Sequence, residues 1–113
     1  MKIKLNIELT FKDDLLEDML ADLPMSIRYW GTLERTKRGA LQVVETVSYP
    51  EDDPETPQPR HRVPPDWVAR GLKFLAEREK PYHRLHELLR GEYDAESLDV
   101  LFQAGVLGDL VYG

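Results

Sequence analysis

The chain has 113 residues, 42% hydrophobic and 32% charged, with a formal charge of −6 and no cysteine. This is the size of a single domain with its own core, and the composition is too hydrophobic for a disordered chain. The absence of cysteine excludes disulfides, Cys-based zinc sites and thiol catalysis. The negative balance opposes general affinity for a nucleic-acid backbone, so no direct nucleic-acid binding is expected.

Residues 2–10 alternate, with Ile3, Leu5, Ile7 and Leu9 on one face, and predict a strand with one wet side. Such a start resembles neither a signal peptide nor a membrane span, so no membrane association and a cytoplasmic location are expected. The period then changes to 3.6. Thr10 stands at an N-cap position, and Leu15, Leu16, Met19, Leu20 and Leu23 form the apolar stripe of a helix over 11–23 that Pro24 closes. Its other face carries Asp13, Asp14, Glu17, Asp18 and Asp22. Two β-prone runs over 26–35 and 40–49 flank Thr36-Lys37-Arg38-Gly39 and predict a hairpin, Gly39 supplying the positive backbone angle of its turn. Adjacent Val43 and Val44 predict either a bulge or a strand covered on both faces.

Residues 50–63 are rich in proline and acid and predict a mobile loop inserted in one domain spanning 1–113. Three helices follow. The first, over 65–79, opens after Pro64 and Pro65 and turns Val68, Leu72, Leu75 and Ala76 inward. The second, over 81–90, uses Tyr82, Leu85, Leu88 and Leu89 and stops at Gly91. The third, over 94–104, is capped by Asp94 and buries Leu98, Leu101, Phe102 and Ala104. The apolar ending, with Leu107, Leu110, Val111 and Tyr112, is expected to dock on the core. The fold class is α+β, a small antiparallel sheet with helices packed on one face.

Arg28, Tyr29, Trp30, Arg35 and Arg38, with Lys37, can stack a base and clamp phosphate, which points to a nucleotide-like small molecule. If the segment is a strand, Arg28 and Trp30 share one face and Tyr29 takes the other. The plainer alternative buries an aromatic against the first helix and leaves the basic residues to solvate the turn. Asp14, Glu17, Asp18 and Asp22 offer an acidic surface to a basic protein partner, or are simply a solvated helix face. His83 and His86 have a metal-binding spacing, but no third ligand is evident and His61 lies in the predicted loop, so neither metal nor cofactor is expected. Ser26, Ser48 and Ser97 lack a nucleophile-elbow setting, and the adjacent pairs Asp13/Asp14 and Asp52/Asp53 cannot take a working separation. No nucleophile, base and orienting group can be assembled, so the chain is not expected to be an enzyme.

The C-terminal pattern D-A-x-x-x-D-V-x-x-Q-x-x-x-x-G-x-x-V-Y-G, formed by Asp94, Ala95, Asp99, Val100, Gln103, Gly108, Val111, Tyr112 and Gly113, resembles the ending of a family of small proteins encoded by bacteriophages and prophages. Tyr29-Trp30, Gly39-Ala40-Leu41 and Gly71-Leu72 agree with that family in order along the chain. The segment Leu23–Arg28 departs from it, standing where the family has a Glu-Gly-Gly run. The resemblance implies a setting: a phage accessory protein in the cytoplasm of the bacterial host. The expected function is that of an antagonist of host defence that binds a host protein. Sequestration of a nucleotide-like small molecule and a structural or regulatory phage role are the alternatives. A homodimer is the commonest assembly for a small soluble chain and is the oligomer to expect if one forms.

Overall fold

The computed structural model describes residues 13–46, 58–78 and 84–113. The strand expected over 2–10, most of the proline-rich stretch and the start of the helix expected at 81 lie outside them. In chain order the elements are α1 (Asp13–Ser26), β1 (Gly31–Arg35), β2 (Leu41–Glu45), β3 (Arg60–Arg62), α2 (Trp67–Glu77), α3 (Leu85–Leu89) and α4 (Ala95–Val106). The three strands form an antiparallel sheet in the order β1-β2-β3. The fold is a small α+β fold, as expected. Among the described residues no helix is long and apolar enough to cross a membrane.

The boundaries correct the sequence reading in three places. Helix α1 does not close at Pro24 but passes through it to Ser26. Proline removes one N–H and with it the bond to the carbonyl of Leu20. Leu23 and Ile27 on the same side are both fully buried, and Ile27 N–H still donates to Leu23 O at 3.0 Å. Residues 26–30 are therefore not the start of a strand. Leu23, Ile27 and Trp30 continue the helical spacing into a turn in which the N–H groups of Trp30 and Gly31 both donate to Ile27 O at 2.9 Å. Burial of that apolar series overrides the β propensity of Ile, Tyr and Trp. The third correction is β3. Arg60, His61 and Arg62, expected within a loop, pair with Val44, Val43 and Gln42. A polar three-residue strand can sit at a sheet edge because its partner supplies the hydrogen bonds, whatever its own side chains prefer.

The hairpin forms with Leu33 opposite Val43 and Thr32 opposite Val44, in regular register with no bulge. Both valines are buried, so both faces of β2 are covered. Gly39 closes the turn at φ 83°. Val43 and the half-buried Leu33 join the core with Met19, Leu23 and Ile27 of the α1 region, Leu72 and Leu75 of α2, and Leu98, Leu101 and Phe102 of α4. Trp67 belongs to this core too, its ring edge-on to Phe102 at 5.3 Å. Leu16, Ala76 and Leu89, expected inside, are exposed.

Helices α2 and α4 cross with almost no space between their backbones, at Gly71 and Gly105. A Cβ on Gly71 would stand 2.5 Å from the Leu101 carbonyl oxygen, and one on Gly105 would collide with the Trp67 carbonyl. Both obstacles are backbone, which cannot swing aside as a side chain would. Gly105→Ala should therefore separate the helices and destabilise the protein by about 3 kcal/mol, read as a lowered denaturant midpoint. Gly39→Ala has open space around its Cβ and only the cost of its positive φ, and should lose about 1 kcal/mol.

Candidate functional site

Asp99 and Gln103 stand one turn apart on α4 and so share a face. Both are buried in an otherwise apolar stretch. One carboxylate oxygen of Asp99 accepts from Trp30 Nε1 at 2.7 Å and from Gln103 Nε2 at 3.0 Å, and the other accepts from the Tyr29 hydroxyl. Three donors and no acceptor converge on it, which is the set an ionised carboxylate requires. No cation pairs with it among the described residues. The Tyr29 phenol is held above its ordinary value of 10.0, first by burial of the hydroxyl and then by the hydrogen bond to Asp99 and the negative charge there.

Gln103 serves the C-terminal segment as a surrogate peptide group. Its Oε1 accepts from the N–H of Val111 at 2.9 Å and of Tyr112 at 2.8 Å, while Nε2 donates to Tyr112 O at 3.2 Å. Gly108, at φ 74°, turns the chain back to reach it. The returning Tyr112 ring lies nearly parallel to the indole of Trp30, centroids 5.0 Å apart and planes inclined by 12°. Leu107, Leu110 and Tyr112 pack against the core, so the ending docks as expected, except that Val111 is exposed.

The Tyr112 hydroxyl continues the network by donating to Glu45 Oε1 at the end of β2, and His61 Nε2 on β3 stands 2.7 Å from Glu45 Oε2. Burial pushes the Glu45 carboxyl upward. The hydrogen bonds from His61 and Tyr112, with the His61 charge, outweigh it and hold the group below its ordinary 4.5. The network thus links the α1–β1 turn, two strands, α4 and the C-terminal segment.

The expected ligand set does not converge. Trp30 is fully buried and presents no face to a ligand, and the Tyr29 hydroxyl is engaged by Asp99 although the residue is 55% exposed. These residues occupy a turn, so the strand alternation expected for Arg28 and Trp30 does not apply; Arg28 is exposed. Arg35 donates to Gly39 O at 3.0 Å across the hairpin turn. Arg38 is exposed at that turn. The five residues of β1 separate the two groups by roughly 15 Å at the usual rise of a strand. The acidic set does share a surface: Asp14, Glu17, Asp18 and Asp22 are all exposed on α1. Asp22 accepts from the Tyr93 hydroxyl at 2.6 Å, and burial together with Asp22 and Asp18 pushes that phenol up to about 12.

His86 is exposed and His83 lies outside the described residues. Among the described residues no group of three or more His, Asp or Glu could hold a metal ion. Two clusters escaped the sequence reading. Asp99 and Gln103 left a signal, a polar pair four apart amid apolar helix positions. Glu45, His61 and Tyr112 left none, since they come from three distant segments.

Gln103→Ala should orphan two N–H groups and release residues 109–113. The expected loss is about 3 kcal/mol, with fast hydrogen exchange at Val111 and Tyr112 while α2 amides stay protected. Glu45 contributes stability that is fully present above its ordinary 4.5 and is lost as pH falls through its lower folded value. Glu45→Gln should therefore be less stable than wild type near neutrality, with the gap closing on acidification, as followed by thermal melts across an acid pH series.

Comparisons with protein-family models, with curated proteins and with solved structures find no match to this chain.

Proposed function

We propose that this chain is a phage accessory protein that acts without catalysis, in the bacterial cytoplasm, by covering a basic surface of a host defence protein. The observation that carries this reading is the face of α1. Asp14, Asp18 and Asp22 follow one another on successive turns with Glu17 beside them, all exposed, and Met25, 72% exposed, continues the same line one turn further. A row of carboxylates steers a cationic partner, and a bare methionine at its end supplies adaptable apolar contact.

Two further observations support binding over chemistry. The groups with catalytic potential, Asp99, Gln103, Glu45 and Tyr112, satisfy one another and fasten the chain to itself. The resemblance of the Tyr29-Trp30 pair and the C-terminal pattern to small phage proteins supports the setting.

The test is capture of a host protein from bacterial lysate by wild type and by a chain carrying Asp14→Lys, Glu17→Lys and Asp18→Lys. Wild type should retain one stoichiometric protein with a basic surface, released by raised salt, and its expression should restore plating of a restricted phage. The triple variant should keep its melting temperature within a few degrees, bind at least about tenfold more weakly and lose the protection. Equal capture and equal protection by the two chains would exclude this face.

A further inference from the structure

The hairpin turn and β3 build a second surface of opposite sign. Within residues 34–42 and 60–62 stand Arg35, Lys37, Arg38, Arg60 and Arg62 against Glu34 and no other carboxylate, in a chain whose overall charge is −6. Two of these cations are occupied: Arg35 braces the turn through Gly39 O, and Arg60 pairs with Glu34, which also accepts from the Gln42 amide. Arg38 and Arg62 have no carboxylate partner among the described residues. They line one cleft of about 480 Å³ together with Thr36 and Gln42, over the apolar atoms of Ala40 and Leu41.

The register explains why they meet. Gln42 pairs with Arg62 across β2 and β3, so the two side chains stand next to each other on one sheet face. Arg38 reaches the same end of the sheet because Gly39, at φ 83°, folds the turn beside it. Thr36 Oγ1 already accepts from the Ala40 N–H at 3.1 Å, which leaves its hydroxyl proton to donate into the cleft.

We infer that this cleft binds the phosphate of a small phosphorylated molecule, Arg38 and Arg62 supplying paired guanidinium donors and Thr36 a hydroxyl. Guanidinium groups match phosphate oxygens two at a time, and two without carboxylate partners lose no ion pair on binding. The cleft has the volume of a small-molecule site. Among the described residues it has no aromatic lining, so it reads the phosphate and not a nucleobase. Trp30 and Tyr29 are held at the other end of β1, and Trp67, five residues after Arg62, is buried in the core. A nucleic-acid strand is disfavoured as the occupant because the remainder of this acidic chain would repel its successive phosphates. The assignment is independent of the acidic face of α1.

Titration calorimetry of the full chain with inorganic pyrophosphate tests it. Saturable one-to-one binding is expected, weakened about tenfold or more by Arg38→Ala and by Arg62→Ala, less by Arg62→Lys, and unchanged by Arg28→Ala, which removes an exposed arginine outside the cleft. All three positions are exposed, and unchanged melting temperatures will show that each of the four variants folds. Absence of saturable binding, or equal weakening by Arg28→Ala, overturns the site. A single-stranded oligonucleotide that binds more tightly than pyrophosphate and is displaced by it from the same arginines overturns the assignment to a small molecule.

Discussion

A carboxylate buried beneath aromatic rings, with hydrogen bonds in place of a counter-ion, is the constraint on which this fold depends. Asp99 gathers the indole of Trp30, the phenol of Tyr29 and the amide of Gln103. Moving a charge out of water costs several kcal/mol unless the lost hydration is replaced, and here three donors from two distant segments replace it. The requirement works in both directions. The donors fix the α1–β1 turn against α4, and α4 can face inward at this level only while the turn supplies them. Gln103 then passes the constraint on, since the amide that serves Asp99 also binds the backbone of Tyr112, whose ring covers Trp30.

This gives a physical reading of the residues behind the phage resemblance. Asp94 accepts from Ser97 N–H at the start of α4, Asp99 and Gln103 form the buried pair, Gly108 reverses the chain and Tyr112 closes over Trp30. Each has a structural task, and together they define how the chain is fastened. A surface that meets a partner is free to lie elsewhere, on α1 or at the hairpin turn, where side chains hold little of the fold. The pattern can therefore mark a kind of protein while leaving its partner undetermined.

Local chemistry made much of the architecture legible. The stripe of Val68, Leu72 and Leu75, the cap at Asp94 and the turn at Gly39 each follow from neighbours within a few positions, and each is present in the structure. Two elements were hidden because distant contacts decide them. Pro24 reads as a helix stop until Leu23 and Ile27 are seen to be buried on one line. Arg60-His61-Arg62 reads as solvent-facing loop until Gln42, Val43 and Val44 provide it with a partner strand. The candidate sites followed the same rule. The acidic face of α1 was readable because a helix puts its residues together, whereas Arg38 and Arg62 meet only through a register that neither segment reveals alone.

The hydrogen bonds around Gln103 and Asp99 differ greatly in the length of chain they span. Gln103 and Tyr112 are 9 residues apart, and Asp99 and Trp30 are 69 apart. Closing the longer loop costs about 2 kcal/mol more chain entropy than closing the shorter one. The C-terminal segment and α4 therefore form a local hook that can assemble early, before its distant partners arrive. Docking of Trp30 is the step that closes the longer loop. The indole, fully buried once docked, is thus the group whose burial marks the long-range step of folding.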